Sequence, residues 1–144
     1  MHVAKKLLTA VCAVILCCSF VTACSGDDKL RITEGDIAKA ELIVMPSSEA
    51  ERYKLIDESD YGKIAELIAK VPNKSVATPE DINGGGATLY IALTDGTVHT
   101  LCNNGNVYIV LDGTSYEMNN DFSSLWNEYG FNAGNAEVPD DFSC

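Results

Sequence analysis

Basic residues are scarce and confined to one part of the chain. The 144 residues include 10 Lys and Arg against 21 Asp and Glu, and neither Lys nor Arg occurs after Lys74. Ten of the acids lie in that cation-free part, between Glu80 and Asp141. A surface of this charge repels phosphate backbones and anionic headgroups, so the sequence argues against a nucleic-acid partner. The acidity either keeps the domain soluble or attracts a cationic partner or a divalent ion.

Histidine is nearly absent, since His2 and His99 are the two in the chain. The sequence also lacks the Gly-x-Ser-x-Gly, Ser-x-x-Lys and His-Glu-x-x-His motifs that activate a nucleophile or hold zinc. His99 and Cys102 are three residues apart on a predicted strand, so they should point to opposite faces and form no dyad. We therefore expect no enzymatic activity. A hydrolase that uses two of the many carboxylates is the alternative, because spacing alone cannot exclude such a pair.

Long apolar runs are missing except at the amino terminus. Residues 7–21 are almost wholly apolar, and they follow Lys5 and Lys6 with no acid before them. This run has the length of a signal-peptide core and falls short of the roughly 20 apolar residues of a membrane span. We expect residues 1–23 to be a signal peptide.

The four residues that end this run carry the main functional signal. Residues 21–24 read Val-Thr-Ala-Cys and resemble the lipobox of a bacterial lipoprotein. The resemblance implies that Cys24 takes a diacylglyceryl group and becomes the first residue of the mature chain. Two acyl chains suffice for stable attachment, so the protein would be lipid-anchored on the extracytoplasmic face of the cell membrane. The alternatives are an uncleaved anchor, or secretion in which Cys24 is incidental.

Processing changes both the charge and the cysteine count. Without Lys5 and Lys6, eight basic residues remain against 21 acids, a formal charge of −13. Of the six cysteines, three leave with the signal and Cys24 is acylated, so Cys102 and Cys144 remain. Export permits a disulfide between them; the alternative is two unrelated thiols. We expect residues 24–36 to form a flexible tether.

The first half of the mature chain predicts a hairpin and a helix. Residues 37–45 are rich in aliphatic side chains and residues 52–56 alternate, which indicates two strands joined by a loop. A helical apolar stripe then follows, with Ser59 as the expected cap and Pro72 after its end. Residues 73–86, with three glycines at their end, are predicted to be a loop.

Three Asx-Gly pairs in the second half predict an antiparallel meander. Such pairs favour tight type I′ turns. The pairs are Asp95-Gly96, Asn104-Gly105 and Asp112-Gly113. The strands they separate are residues 88–94, 97–102, 106–111 and 114–118. The third of these is apolar on both faces, which indicates a central position.

A second helix and an acidic tail complete the domain. Phe122, Leu125, Trp126 and Tyr129 form one apolar stripe that Gly130 ends, with Asn119 or Asn120 as cap. Residues 132–144 have no periodicity and are expected to be loose unless Cys144 is bridged. The predicted fold class is α+β: an antiparallel sheet of about six strands, including the four-strand meander, with two packed helices over residues 37–131.

This pattern resembles the small extracytoplasmic domains of unknown function in lipoproteins of clostridial and related Gram-positive bacteria. The resemblance covers residues 37–131 and rests on Tyr-Lys-Leu-Ile-Asp at 53–57, the helix at 60–70 and residues 108–117. It implies a cell-envelope location and a compact α+β fold. It supplies no catalytic residues.

Aromatic and acidic side chains are therefore the candidates for ligand binding. Tyr90 and Tyr108 are predicted to share one sheet face, where they either form a recognition platform or lie beneath a helix. Asp112, Glu117 and Asp121 are weak calcium candidates, since capping of the last helix accounts equally for acids there.

The sequence thus favours a membrane-anchored, non-catalytic binding module. Its expected partner is an envelope protein, a peptide or a glycan, without cofactor or nucleic acid, and we expect a monomer. Besides the carboxylate hydrolase, a purely structural surface protein is the remaining alternative.

Overall fold

Six strands form one antiparallel sheet, and two helices pack on one of its faces. The computed structural model describes residues 29–46, 49–81 and 85–142. The predicted signal peptide, Cys24 and Cys144 therefore lie outside the described residues. The strands are β1 (Ile37–Met45), β2 (Arg52–Leu55), β3 (Gly86–Leu93), β4 (Val98–Asn104), β5 (Tyr108–Leu111) and β6 (Thr114–Glu117), and the helices are α1 (Tyr61–Lys70) and α2 (Asn120–Glu128). The predicted α+β class is confirmed.

The strand order is β2-β1-β3-β4-β5-β6, and every neighbouring pair is antiparallel. The predicted hairpin is the β1–β2 pair, and the predicted meander runs from β3 to β6. β5, which we expected at the centre, is an interior strand next to the edge. The central pair is instead β3 and β4.

One of the three turns forms as predicted. Asp112 and Gly113 have φ of 49° and 79°, as a type I′ turn requires. In the second turn the positive φ values fall one residue late, on Gly105 (60°) and Asn106 (57°). In the first, Gly96 alone is positive, with φ 88°. The prediction of three identical turns is wrong at these two positions.

Asn103 explains the displaced turn. Its buried side chain donates to Asn106 Oδ1 at 2.9 Å and accepts the Asn106 amide at 3.1 Å. Leaving a buried amide without partners costs about 1–3 kcal/mol, so these bonds favour the left-handed conformation at Asn106.

The main core lies between the sheet and the helices. Alternating residues of β1, β3, β4 and β5 point toward α1 and α2, as period-two strands require. Trp126 and Phe122 of α2 stack with ring centroids 5.6 Å apart and are fully buried. The buried strand residues in this core are Ile37, Ala40, Leu42, Val44, Ala87, Leu89, Ile91, Leu101, Ile109 and Leu111.

The start of α1 differs from the prediction. Asp57, and not Ser59, is the capping side chain: it accepts the Ser59 amide at 2.9 Å at the head of a 3₁₀ turn, Glu58–Asp60, that leads into the helix. The Ser59 hydroxyl also donates to this carboxylate, at 2.6 Å, and the two hydrogen bonds, first that of the hydroxyl and then that of the amide, lower the pKa of Asp57 because they favour its charged form. The α1 N-cap itself, Asp60, makes no side-chain cap bond.

The stretch before β1 is part of the folded domain. We expected residues 24–36 to be a flexible tether, but Ile32 is only 8% exposed and Leu30 packs against the core. Lys29 Nζ donates to the Ala69 carbonyl of α1 at 2.6 Å. The described part of the expected tether is therefore held against the helix layer.

Both outer strands of the sheet pair with other parts of the chain. Tyr53 of β2 exchanges backbone hydrogen bonds with Ala136, at 2.9 and 3.0 Å. On the opposite edge, Ser75 bridges Tyr116 of β6, and the Val76 amide donates to the Ser115 carbonyl at 2.7 Å. We expected a tail that is loose unless Cys144 is bridged; its described part is attached to the edge of β2 through Ala136.

Candidate functional site

The sheet face that points away from the helices is the candidate site. Tyr90 pairs with Thr100 on β4 and with Glu41 on β1. Its neighbours Leu89 and Ile91 are buried on the helix side. Directly opposed residues share a face, so the residues in register with Tyr90 line the other side. We call this surface the open face.

Tyr90 and Tyr108 both lie on the open face, as predicted from the sequence. Tyr108 is opposite Asn104, which has the same parity as Thr100 on β4. The two tyrosines are two strands apart and displaced by four residues along the sheet, so strand geometry separates them by about 16 Å. They therefore mark two ends of a surface and do not form one joint aromatic patch.

The C-terminal segment, residues 132–142, covers the Tyr90 end. After pairing with β2 it turns onto the open face, where the Phe142 ring packs edge-on against Tyr53 and Tyr90 with centroids 6.2 and 5.2 Å apart. Ile43 pairs with Tyr53 and faces away from the helices, yet it is only 5% exposed. Its burial fits a covered face at this end. The sequence analysis missed this contact; the one signal that could have indicated it is Phe142, an aromatic residue in a mostly polar tail.

A polar group lies beside the Phe142 contact. The Tyr53 hydroxyl donates to Glu41 Oε1 at 2.8 Å, and Lys39 Nζ lies 2.8 Å from the same oxygen. Burial, together with the bond to the Glu41 carboxylate, raises the pKa of Tyr53 to about 12. Tyr53 therefore stays neutral and acts as a donor at ordinary pH.

A second segment borders the Tyr108 end. The 75–81 loop pairs with β6 and then reaches over the sheet, where the Glu80 amide donates to the Tyr108 hydroxyl at 3.3 Å. The Tyr108 ring is half-buried as a result. The sequence predicted a loop here but gave no signal that it would contact the open face.

Between these two segments runs a neutral floor. Its side chains are half-buried hydroxyls, a thiol and one aliphatic group, and it crosses from β3 to β6, about 14 Å in strand spacings. The floor residues are Thr88, Thr100, Cys102, Val110 and Ser115.

The borders of the floor are acidic. Glu80 and Asp81 lie on the 75–81 loop, and Glu137, Asp140 and Asp141 lie on the C-terminal segment. No Lys or Arg occurs in any part of the chain after Lys74, so these carboxylates have no cation from β3–β6 to neutralise them. The face combines a neutral floor with negative borders.

Cys102 lies on this floor, opposite Thr88. It is half-buried, and burial raises the pKa of its thiol. His99 pairs with Ile91 and so points to the other face, as expected from the odd spacing. Cys102 has no disulfide partner among the described residues, and Cys144 lies outside them.

The calcium candidates are not brought together. Asp112 accepts the Thr100 amide at 2.8 Å and contacts His99 Nδ1 at 2.7 Å. Asp121 lies at the start of α2, 3.9 Å from Lys70 Nζ, while Glu117 is on β6 opposite Tyr108. Within residues 29–46, 49–81 and 85–142, no three His, Cys, Asp or Glu side chains are grouped so as to hold a metal ion.

The His99–Asp112 pair has the contact of a base and its orienting carboxylate, 2.7 Å apart. A nucleophile would have to bond the other ring nitrogen. Among the described residues, Asp112 is the one hydrogen-bond partner of the His99 ring. The pair therefore joins the start of β4 to the turn that follows β5.

No protein-family model, curated protein or solved structure matches this chain. Over the described ranges, no helix has both the length and the apolar character needed to cross a membrane.

Proposed function

We propose that this protein is a lipid-anchored binding module of the bacterial cell envelope, and that its open face takes an extended basic peptide segment of a partner protein. The observation that carries the proposal is the floor between the C-terminal segment and the 75–81 loop, neutral in the middle and acidic on both borders. In this proposal the protein has no catalytic activity of its own.

Charge and shape favour a peptide over the other ligand classes. Lysine or arginine side chains of an extended chain reach sideways to both acidic borders, while its backbone lies over Thr88, Thr100 and Ser115. These hydroxyls donate and accept hydrogen bonds. A neutral glycan gains nothing from the borders, and an anionic ligand is repelled by them.

The lipid anchor places the folded domain near the membrane. Cys24 and Lys29 are five residues apart, a separation of at most about 18 Å when extended. Because Lys29 is bonded to α1, the helix layer is held close to the headgroups. A partner already at the membrane then meets the domain at a high effective concentration.

The anchor is tested by replacing Cys24. In cells fed radiolabelled palmitate, the wild-type chain takes up label and stays with the membrane fraction. Cys24→Ser removes the sulfur that carries the diacylglyceryl group, so label and membrane retention should both disappear. Cys102→Ser is the matched control and should keep both. Label in Cys24→Ser would show that the anchor has been assigned wrongly.

The ligand class is tested with defined probes. The full chain is held in detergent, and oligolysine and oligoglutamate peptides are compared by fluorescence anisotropy. Oligolysine should bind and oligoglutamate should not.

The site is tested with two variants of equal charge change. Thr100→Arg places a cation on the floor and should weaken oligolysine binding at least roughly tenfold. Ala69→Arg adds the same charge on the exposed surface of α1 and should have little effect. An equal loss of oligolysine affinity in both variants would mean that net charge alone attracts the probe. The open face would then not be the binding site.

A further inference from the structure

We propose that the cavity between the stretch before β1, the end of α1 and the β5–β6 turn is a second ligand site, which binds a free α-amino acid with an apolar side chain through Lys29 and Asp112. This cavity is separate from the open face, and the inference does not rest on the peptide ligand proposed above.

Three segments of the chain line the cavity, which has a volume of about 270 Å³. Lys29 and Leu30 come from the stretch before β1, Val71 follows α1, and Leu111 and Asp112 lie at the end of β5 and in its turn. Leu111 belongs to the core between the sheet and the helices, so the cavity lies on the helix side of the sheet. Pockets for drug-sized ligands have roughly 300–1,000 Å³. The smaller volume here suits a molecule of the size of an amino acid.

The cavity carries one positive and one negative side chain that do not pair with each other. Lys29 and Asp112 both line it. Among the described residues, Lys29 Nζ bonds to the Ala69 carbonyl, while Asp112 contacts the His99 ring and the Thr100 amide. Two opposite charges that border one cavity in this way are complementary to a zwitterion, because each can bind the opposite charge of the ligand. A ligand with a single charge would leave one of them without a partner.

Both side chains keep hydrogen-bonding capacity for a ligand. A lysine ammonium has three N–H donors, and in the described part of the chain the contact with Ala69 uses one of them. A carboxylate accepts at about four sites, and Asp112 uses one oxygen for Thr100 and the other for His99. The Asp112 side chain is also 43% exposed. The ammonium of an amino acid can therefore donate to Asp112, and its carboxylate can accept from Lys29.

The remaining wall of the cavity selects the side chain of the amino acid. Leu30, Val71 and Leu111 give it an apolar part, and Tyr116 lies beside them. An apolar ligand side chain placed there leaves water, which favours binding. A second charged group would instead lose its hydration without a partner. We therefore expect an aliphatic amino acid such as leucine to bind better than an acidic or basic one.

The experiment titrates the full chain in detergent with L-leucine by isothermal calorimetry. The matched probes are isoamylamine, which is leucine without its carboxylate, and isocaproate, which is leucine without its ammonium. Leucine should bind saturably, and each single-charge probe should bind at least roughly tenfold more weakly, because it makes one charged contact fewer. Absence of saturable leucine binding, or equal affinity for either single-charge probe, overturns the proposal.

Two variants test which residue binds which charge. Lys29→Met should weaken leucine binding at least roughly tenfold but should not weaken that of isoamylamine, which has no carboxylate. Asp112→Asn should weaken leucine binding by a similar factor and should not weaken that of isocaproate. Asparagine suits position 112, whose φ is 49°, because it tolerates the left-handed region. Retained binding of the single-charge probe shows that the cavity is still formed in each variant.

Arg31→Met is the matched control, since it removes one positive charge from an exposed position of the same stretch that does not line the cavity. It should leave the affinity for leucine unchanged. An equal fall in Arg31→Met and Lys29→Met would mean that net charge and not the cavity binds the carboxylate. Unchanged leucine affinity in Lys29→Met or Asp112→Asn, or loss of every probe in both, also overturns the assignment of these two residues as ligand-binding groups.

Discussion

Asn119 shows how one side chain can join two helices. Its Oδ1 accepts the Phe122 amide at 2.8 Å and so caps α2, while its Nδ2 donates to the Lys70 carbonyl at 3.0 Å. Lys70 is the last residue of α1, where helix carbonyls lack intrahelical partners. The same residue therefore satisfies the start of one helix and the end of the other.

We expect Asn119→Ala to lower the free energy of unfolding by about 1–2 kcal/mol, since a lost N-cap alone costs about 1 kcal/mol. The exposed neighbour Asn120 is the matched control, and Asn120→Ala should stay within about 0.5 kcal/mol of wild type. Urea unfolding followed by tryptophan fluorescence measures both. Equal effects would mean that the cap has no special role.

Tyr53 gives a prediction for alkaline pH. Its pKa is about 12 in the folded protein against an ordinary 10.0, so folding favours the neutral phenol. The stability from this preference is complete below pH 10 and is lost as the pH rises toward 12. Replacing Glu41 by Gln removes the carboxylate that accepts the hydroxyl proton, which should lower the pKa of Tyr53 and leave the contribution of burial.

Tyr129 is an internal control for this titration. A hydrogen bond donated to Glu66 raises its pKa to about 12 as well, and Glu66 is independent of Glu41. NMR of ring-labelled tyrosines resolves both residues in one sample. In Glu41→Gln, the pKa of Tyr53 should fall while the pKa of Tyr129 stays unchanged. A similar fall in both pKa values would indicate that the variant loosens the whole fold.

At the scale of an element, the C-terminal segment depends on a close backbone approach. A Cβ added at Gly134 would lie 2.8 Å from the Tyr53 amide nitrogen and 2.7 Å from the Arg52 carbonyl carbon. These neighbours are backbone atoms of β2, so they cannot move aside without disturbing the strand. Glycine is required there for space, and Gly134 is what lets the segment lie along β2.

Gly134→Ala should therefore push the segment away from β2. The amides of Tyr53 and Ala136 should exchange with solvent at least roughly tenfold faster, because their mutual hydrogen bonds open. Ala133→Ser, at an exposed neighbouring position, should leave both rates unchanged. Amide hydrogen exchange by NMR measures all four rates, and full protection in Gly134→Ala would contradict the close approach.

The sequence predicted the strands and helices better than it predicted the contacts of the segments that flank them. Alternation, the helical stripes and the Asx-Gly pairs predicted every strand and both helices, since these patterns repeat within one element. The tether and the tail were misjudged because Lys29, Ile32 and Phe142 contact residues far away in the chain. Such single contacts have no local period. The alternation of side chains along the strands predicted the open face. It did not predict that the C-terminal segment and the 75–81 loop would contact that face.

At the scale of the whole molecule, charge is sorted along the chain. Every Lys and Arg lies at or before Lys74, so the part of the chain that follows contributes ten acids and no Lys or Arg. This arrangement leaves the borders of the open face negative, apart from Lys39 of β1, which pairs with Glu41 at the Tyr90 end.

Binding of oligolysine to this face should therefore weaken steeply with salt. The screening length falls from about 10 Å at 0.1 M to about 3 Å at 1 M. The value at 1 M is short compared with the width of the floor. Fluorescence anisotropy over this range measures the effect. Affinity that is insensitive to salt would contradict attraction by the acidic borders and indicate a ligand held by apolar contacts.

The pairing of both outer strands has a consequence for biosynthesis. Ser75 is made before β6, so that edge finds its partner as soon as β6 appears. The edge of β2 must wait for Ala136, which is made after all six strands of the sheet. An unpaired edge strand can pair with strands of other chains. Chains that end before residue 136 should therefore aggregate, while chains that include it should stay monomeric. The residues around Ala136 thus protect the edge of β2 only after the rest of the sheet has been made.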